Sequence, residues 1–182
     1  MTVSDDVETF AAAVGPEPDA VLDEMDGRAA ETGFPTVGLP ADGELVLTEV
    51  DADELADARD YLARGDFDAT MRFELGDAIE TVDDYDGPFN VVLIDNEKHR
   101  YVEAFEAARE AVSVGGVVVA DNTTAGPFDF GEIYDQIVED GGGGGEAVHG
   151  VADYLEHVRS DSAFETTLLP LGEGLAVSRR RR

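Results

Sequence analysis

Two stretches decide the fold: FNVVLIDNEKHRY, residues 89–101, and VGGVVVADN, residues 114–122. Each contains a continuous apolar run of strand length, which is typical of parallel strands that are covered on both faces. The segment between them, residues 101–112, has apolar residues near helical spacing and predicts a helix. Together they predict a strand–helix–strand unit whose strands end in polar residues, the first at Asp95 and the second at Asp121.

The same alternation of short apolar runs and helical stretches continues through the chain. It predicts helices over residues 4–14, 18–32, 52–64, 78–82, 133–138 and 151–158, and strands over residues 45–49, 70–75, 89–94, 117–120, 166–169 and 175–178. The last two strands flank a Gly-Glu-Gly turn and are interpreted as an antiparallel hairpin. We therefore expect a single domain over residues 1–182, with two helices in residues 1–32. Its sheet is mostly parallel, ends in the hairpin and carries helices on both faces.

Acidic residues dominate the composition. The sequence has 42 Asp and Glu against 12 Lys and Arg, a formal net charge of −30, while 43% apolar residues argue against disorder. Such a surface repels phosphates and anionic lipids, so we expect neither nucleic acid nor a membrane as partner. The charge fits either an acidic partner-binding protein or adaptation to molar salt, which screens self-repulsion. Its even spread along the chain favours salt adaptation and a halophilic source.

Several classes of protein are disfavoured by what the sequence lacks. It has no Cys, and therefore no disulfide and no thiolate metal site. No apolar run approaches the roughly 18 residues of a membrane span. The acidic start, MTVSDDVETF, does not resemble a signal peptide, so we expect a cytoplasmic protein. The run of four Arg at 179–182 predicts a solvated end.

The polar strand ends predict a metal site. If the two strands are neighbours, their backbones lie about 4.8 Å apart, and Asp95, Asp121 and Asn122 can meet on one ion. Three hard oxygen ligands favour Mg²⁺, Mn²⁺ or Ca²⁺ over zinc. Lys98, the only Lys in the chain, follows Asp95 by three residues and can act as a base beside a cation. The alternative is that these acids are ordinary turn residues and that Lys98 is a surface charge.

These motifs resemble the metal-dependent O-methyltransferases, the family that contains the catechol and caffeoyl-CoA enzymes. That family has a strand ending in Asp, a Lys three residues later, a Tyr three further on, a Gly-Gly turn and a strand ending in Asp-Asn. The matching residues here are Asp95, Lys98, Tyr101, Gly115-Gly116 and Asp121-Asn122. The resemblance implies that Asp95, Asp121 and Asn122 bind the metal. It also implies that Lys98 takes the proton from the substrate hydroxyl.

Three further segments resemble the same family. LVLTEVDADELADAR, residues 45–59, resembles its second strand, whose acidic end binds the ribose of S-adenosylmethionine; that residue is Glu49 here. FELGDAIETV, residues 73–82, resembles the segment that contacts adenine and points to Asp77 and Ala78. The implied cofactor contacts are therefore Glu49, Asp77, Ala78 and Asp95. The C-terminal hairpin is also similar, so the resemblance covers most of residues 31–178.

One part of the family pattern is missing. The family's first strand and its glycine-rich loop belong between GFPTVG, residues 33–38, and Leu39, yet Gly38 joins Leu39 directly. A strand, loop and helix need roughly 30–40 residues. Without that strand, those ending at Glu49 and Asp95 have unpaired edges, which costs several kcal/mol. We therefore expect either a stretch omitted from the sequence or a natural deletion with another strand pairing.

The sequence thus predicts an S-adenosylmethionine-dependent O-methyltransferase that uses a divalent metal to methylate a catechol-like or vicinal-diol small molecule. Its partner is a small hydroxyl substrate, and a homodimer is one possible assembly. The alternatives are a relative or binding module that has lost the cofactor loop, and a signalling receiver domain with Asp95 as phospho-acceptor. The receiver pattern needs an acidic pair after its first strand and a Lys after the last parallel strand. In this chain the last parallel strand ends at Asp121-Asn122, and the only Lys follows Asp95.

Overall fold

The structure is a computed structural model and describes residues 43–65, 69–139 and 141–182. The described residues belong to two compact units, one ending at Thr81 and the other beginning at Val82. The predicted helices 4–14 and 18–32 and the Gly38–Leu39 junction lie outside the described residues. In the described part of the chain, no helix is both long enough and apolar enough to cross a membrane.

The first unit is a strand–helix–strand motif. Strand β1 (Glu44–Glu49) pairs in parallel with β2 (Thr70–Leu75), and helix α1 (Ala52–Leu62) connects them. Asp51 starts α1 because its carboxylate accepts the backbone N–H groups of Asp53 and Glu54. A short helix, α2 (Ala78–Thr81), follows β2. The register pairs Glu49 with Leu75, so both strands end at the same edge.

The second unit contains the remaining strands and three helices. They are β3 (Phe89–Ile94), α3 (Tyr101–Ala108), β4 (Val112–Ala120), α4 (Phe130–Val138), α5 (Glu146–Ser160), β5 (Phe164–Leu169) and β6 (Leu175–Arg180). The strand order is β3-β4-β6-β5, with β3 and β4 parallel and β6 antiparallel to both of its neighbours. The predicted hairpin is therefore confirmed, and its second strand lies inside the sheet.

Aromatic residues from the helices fill the core of the second unit. Tyr101 and Phe105 of α3, Tyr154 and Val158 of α5 and Phe164 of β5 are buried together against the sheet. Phe105 meets Tyr154 and Phe164 edge-on, with ring centroids 6.1 and 5.0 Å apart. This packing fixes the start of α3 under the carboxyl end of β3.

Some predicted boundaries are wrong. The helix expected over residues 101–112 ends at Ala108, continues as a 3₁₀ turn to Ala111, and Val112 begins β4. The Gly-Gly pair expected as a turn lies within β4, beside an irregularity where Phe89 pairs with Val112 but Val91 pairs with Val117. Gly115 has φ +89°, which a glycine adopts without strain. The apolar spacing that predicted the longer helix belongs partly to this strand.

The arginine run at the end of β6 is not simply solvated. The guanidinium of Arg180 donates to the backbone carbonyls of Arg109, Glu110 and Val112, at 3.0, 2.8 and 2.7 Å. Those carbonyls lie where the helical segment after α3 ends, so Arg180 takes the place of a helix C-cap. The expected solvated end is wrong for Arg180, because unpaired carbonyls at a helix terminus attract a cation.

Candidate functional site

A three-way hydrogen-bond network surrounds the only Lys of the chain. Lys98 begins the 3₁₀ turn Lys98–Arg100, the next element after β3, and its side chain is only 12% exposed. Its Nζ donates to Asp95 Oδ1 at 3.2 Å, to Asn122 Oδ1 at 2.6 Å and to Tyr101 Oη at 2.5 Å. The ammonium also lies 4.9 Å from the centroid of the Tyr101 ring. Three oxygens from different elements thus converge on one cation.

Strand pairing brings these oxygens together. Because β3 and β4 are parallel and Ile94 pairs with Ala120, the residues that follow them leave the sheet at one edge. The Asp121 amide continues the ladder by donating to the Ile94 carbonyl at 3.2 Å. Asp95 Oδ1 and Asn122 Oδ1 lie 3.2 and 2.6 Å from the same atom, Lys98 Nζ, so the two oxygens are close to each other. The structure thus brings together Asp95 and Asn122, two of the three residues that were expected to converge on one ion.

Asp121 lies in the same cluster but uses its polar atoms differently. Its Oδ1 accepts the backbone N–H of Asn122 at 2.6 Å, and its carbonyl accepts the hydroxyl of Tyr101 at 3.0 Å. Asn122 has φ 51°, a conformation that asparagine tolerates better than most residues. Within the described residues, no group of three or more His, Asp or Glu side chains could hold a metal ion. The predicted ligand set consists of two acids and one amide.

Burial raises the pKa of two groups in the cluster. Burial raises the pKa of Asp95; the Lys98 ammonium opposes this increase, while Asp121 and Glu173 add to it. Burial, together with the carboxylates of Asp95 and Asp121, also raises the pKa of Tyr101. Tyr101 therefore stays a neutral hydroxyl, which can accept from Lys98 and donate to the Asp121 carbonyl at the same time.

The sequence analysis missed a second part of the site, the turn between β5 and β6. The Asn122 Nδ2 group donates to the carboxylate of Glu173. The Thr124 and Ala125 amides donate to the Glu173 carbonyl at 2.8 and 2.9 Å, and the Thr123 amide donates to the carbonyl of residue 174 at 3.0 Å. The Gly-Glu-Gly motif indicated a turn, but nothing in the sequence identified its partner.

Two buried polar groups beside the cluster have no hydrogen-bond partner among the described residues. Both polar atoms of the Asn96 carboxamide are buried without a hydrogen bond, and so is the Thr123 hydroxyl. Asn96 follows Asp95, and Thr123 follows Asn122. An unpaired buried polar group costs about 1–3 kcal/mol, and functional sites are one place where that cost is tolerated. Neither residue was predicted, because an Asn or Thr after a strand gives no specific signal.

The residues expected to contact the cofactor belong mainly to the unit before Val82. Glu49 ends β1, and its Oε1 accepts the backbone N–H of Asp51 at 2.9 Å. Asp77 precedes α2 and accepts the N–H of Ile79 at 3.0 Å, while Ala78 is the first residue of α2. Glu49 and Asp77 follow neighbouring parallel strands and lie near one sheet edge. Asp95, the fourth expected contact, belongs to the Lys98 cluster.

Residues 32–181 match the family model described as O-methyltransferase. The chain belongs to the O-methyltransferase family. The match includes the Lys98 cluster, the hairpin turn and the strand ends of Glu49 and Asp77. The resemblance stated from the sequence is thereby confirmed at the level of the family.

Curated relatives and solved structures agree with this assignment. The chain is 24% identical over 153 residues to a caffeoyl-CoA O-methyltransferase of Stellaria longipes and 27% identical over 147 residues to a catechol O-methyltransferase of Niastella koreensis. These alignments cover 79% and 76% of this chain, but only 61% and 62% of the relatives. The chain therefore spans less than two thirds of their length.

The fold is shared with solved methyltransferases. An O-methyltransferase of Bacillus cereus, crystallised with S-adenosylhomocysteine, superposes with a TM-score of 0.73 at 16% identity, over 96% of this chain and 97% of that one. An O-methyltransferase of tomaymycin synthesis from Streptomyces achromogenes, crystallised with S-adenosylmethionine, also gives a TM-score of 0.73, at 18% identity over 97% and 96% of the two chains. The predicted fold class, a Rossmann-like methyltransferase fold with an antiparallel hairpin, is confirmed.

Proposed function

We propose that this chain is an S-adenosylmethionine-dependent O-methyltransferase that methylates a hydroxyl of a catechol-like or other vicinal-diol small molecule with the help of a divalent metal. The observation that carries the proposal is the convergence of the Asp95, Asn122 and Tyr101 oxygens on Lys98 Nζ. This arrangement supports the proposal, because candidate oxygen ligands from two strand ends lie beside the candidate base Lys98 at one sheet edge. Membership of the family supports the same reaction class.

The donor set fits a hard divalent cation. Asp95, Asp121 and Asn122 would hold the metal, since carboxylate and amide oxygens are the ligands that Mg²⁺ and Mn²⁺ prefer. The Asp95 and Asn122 oxygens already share one cationic partner, so they are oriented toward positive charge. A bound metal would lower the pKa of a chelated hydroxyl and favour the amine form of Lys98.

Lys98 is the proposed base. The neutral amine of Lys98 would take the proton from the substrate hydroxyl and keep it on Nζ. S-adenosylmethionine, when bound, would supply the methyl group and retain the electron pair of the broken carbon–sulfur bond as a thioether. Tyr101 holds Lys98 in place through a hydroxyl that remains uncharged, so much of the rate enhancement comes from positioning. The alternative role for Lys98 is a fixed positive charge that orients the substrate oxygen.

Glu49, Asp77, Ala78 and Asp95 are the proposed contacts of S-adenosylmethionine. A carboxylate offers about four lone-pair positions, so Glu49 can accept two ribose hydroxyls while it keeps its bond to the Asp51 amide. The relatives crystallised with S-adenosylmethionine and S-adenosylhomocysteine share this fold, which supports the assignment.

A second candidate is a catalytically impaired relative or binding module. It is favoured by one observation, the direct junction of Gly38 and Leu39 where the family has a strand and glycine-rich loop. We propose instead that the chain is one methyltransferase domain, and that the molecule contains the strand and loop although this sequence lacks them. Intact-protein mass spectrometry tests the omission, because a mass equal to that of the printed 182 residues contradicts it.

Methyl transfer tests the function directly. The full chain is incubated with labelled S-adenosylmethionine and catechol, with phenol as the single-hydroxyl control, in Mg²⁺ or in EDTA. We expect methylated catechol in the reaction with Mg²⁺ but not in the reaction with EDTA, and little product from phenol. The assay spans about 0.1 to 3 M KCl, because a salt-adapted surface needs its charges screened. Turnover that is unchanged in EDTA contradicts the metal, and a flat calorimetric titration with S-adenosylmethionine favours the impaired relative.

A further inference from the structure

We propose that Glu173 is a positioning residue that holds the Asn122 carboxamide with its oxygen toward Lys98 and the proposed metal site. The link to metal binding rests on the proposed function, but the contact between Glu173 and Asn122 does not depend on that function. Glu173 lies in the exposed turn between β5 and β6, and its carboxylate accepts Asn122 Nδ2. The proposed mechanism above gives no role to Glu173.

The two ends of the carboxamide have opposite partners. Asn122 Oδ1 accepts from the Lys98 ammonium at 2.6 Å, while Nδ2 donates to the Glu173 carboxylate. A half-turn of the amide would place its N–H groups against an ammonium and its oxygen against a carboxylate. Both contacts would be repulsive, so the hydrogen-bond acceptor of Glu173 and the donor of Lys98 together select one orientation. That orientation presents an oxygen, the ligand atom that a hard cation requires.

The backbone of the turn holds this side chain in register. The Glu173 carbonyl accepts the Thr124 and Ala125 amides at 2.8 and 2.9 Å, and also the Thr124 hydroxyl at 3.0 Å. Gly174 is buried against Thr124, and a Cβ at this position would lie 2.7 Å from Thr124 Cγ2. These contacts clamp the segment after β4 to the turn. They use the backbone of Glu173, so a change of its side chain leaves them intact.

The backbone of Asn122 supports the same conclusion. Among the described residues, it is the only one other than glycine with a positive φ, at 51°. The next residue is held as well, because the Thr123 amide donates to the Gly174 carbonyl at 3.0 Å. The backbone of this segment is thus held in place, and the Asn122 carboxamide is oriented by its hydrogen bonds to Glu173 and Lys98.

The test compares Glu173→Ala with Glu173→Gln in the full chain. Gln keeps an oxygen that can accept from Asn122 Nδ2 and removes only the charge, whereas Ala removes both. Glu165→Ala is the control, because it removes one acid from the same hairpin at its exposed pair with Arg181. The first readout is the dissociation constant for Mn²⁺, measured from free Mn²⁺ by electron paramagnetic resonance. The second is hydrogen exchange of the Asn122 side-chain amide, followed by NMR with labelled asparagine.

We expect Glu173→Ala to weaken Mn²⁺ binding about 10–100-fold, as is usual when a residue that orients a ligand is lost. Glu173→Gln should stay within about threefold of the unchanged protein, since an outer hydrogen bond is restored. The Asn122 amide should exchange faster in Glu173→Ala alone. Equal weakening in the Gln and Ala variants would mean that Glu173 acts through charge, and this result overturns the proposal.

Failure of the proposed function is recognised separately. If the unchanged protein binds no Mn²⁺, the metal is wrong, and the exchange readout alone decides the role of Glu173. Slow exchange in the unchanged protein and Glu173→Gln, with fast exchange in Glu173→Ala, then supports positioning. The same exchange rate in all three proteins overturns it, whatever the metal result.

Discussion

The β1–β2 pair and the β3–β4 pair are both parallel, and both are followed by polar side chains at their carboxyl edge. At the first pair, the Glu49 side chain accepts a backbone amide two residues away, that of Asp51. At the second pair, Lys98 bonds to Asn122, 24 residues away, and Asn122 bonds to Glu173, 51 residues away. Strand ends at comparable places in the topology therefore hold a local cap at Glu49 and a long-range network at Lys98.

The difference teaches how the two candidate sites depend on the rest of the fold. A carboxylate that caps its own turn is placed by local backbone and keeps lone pairs for a ligand. A network spanning β3, β4 and the hairpin turn exists only when all three are assembled. Changes in the Lys98 cluster should consequently affect stability and chemistry together, while changes at Glu49 should affect ligand affinity alone.

The largest effect is expected for Lys98→Met. Loss of a general base reduces kcat by about 10²–10⁴-fold, and affinity for S-adenosylmethionine should hardly change because other strand ends hold the cofactor. Lys98→Arg should not restore activity, since Arg remains protonated at any working pH. Steady-state kinetics with catechol and calorimetry with S-adenosylmethionine measure the two quantities. Near-normal turnover of Lys98→Arg would leave Lys98 only the role of an orienting charge.

Tyr101→Phe should break the network with a smaller loss. It removes one acceptor from Lys98 and the donor to the Asp121 carbonyl, which lowers the free energy of unfolding by about 1–3 kcal/mol. Tyr154→Phe is the matched control, because that buried hydroxyl interacts with Ser178 without the geometry of a hydrogen bond. Urea denaturation compares the two variants. Equal destabilisation by both would show that the Tyr101 bonds add nothing.

Glu49→Gln tests the first strand pair, where a change should affect ligand affinity but not stability. Loss of a charge-assisted hydrogen bond to ribose should weaken S-adenosylmethionine binding by about tenfold, near the lower end of the roughly 1.5–3 kcal/mol of such bonds, because Gln keeps an acceptor oxygen. Gln can still accept the Asp51 amide, so the midpoint of thermal unfolding should stay the same. Calorimetric titration and thermal melts give both values. A lower melting temperature with unchanged affinity would make Glu49 a cap and nothing more.

The smallest effect concerns the free energy of unfolding near pH 7. Burial raises the pKa of Asp95, so its ionised form weakens the folded state, and the stability from protonating it is lost as pH rises through that pKa. In metal-free buffer with EDTA, Asp95→Asn should therefore be more stable than the unchanged protein at pH 7, by under about 1 kcal/mol. The difference should shrink toward pH 4.5. Asp153→Asn, at an exposed position, is the control, and a destabilised Asp95→Asn would contradict the prediction.

Much of the fold followed from local patterns. The sequence predicted β2 over residues 70–75, and a continuous apolar run predicted β3 over residues 89–94, both with the bounds that the structure has. The end of α3 was not predicted, because Val112 continues the helical spacing of apolar residues while its backbone already belongs to β4. A periodic pattern cannot tell a buried helix residue from the first residue of a buried strand.

Only the part of the site that depends on the order of the strands could be predicted from the sequence. Asp95 and Asn122 follow adjacent parallel strands, so their meeting required only the assumption that β3 and β4 are neighbours. Glu173 could not be inferred, because its contact depends on how the hairpin turn folds back over the segment after β4. Arg180 was missed for a related reason. Its partners are backbone carbonyls near residue 110, and carbonyls have no sequence signature.

The position of β6 has a consequence for synthesis of the protein. Among the described strands, β6 is made last, yet it lies between β4 and β5. On the ribosome, β4 therefore waits with an open edge, and β5 has no described strand to pair with until residues 175–180 emerge. Such an edge invites pairing with other nascent chains. A product terminated before Leu175 would lack both the closing strand and the completed turn around Asn122, so ribosome stalling there should yield aggregates rather than a folded fragment.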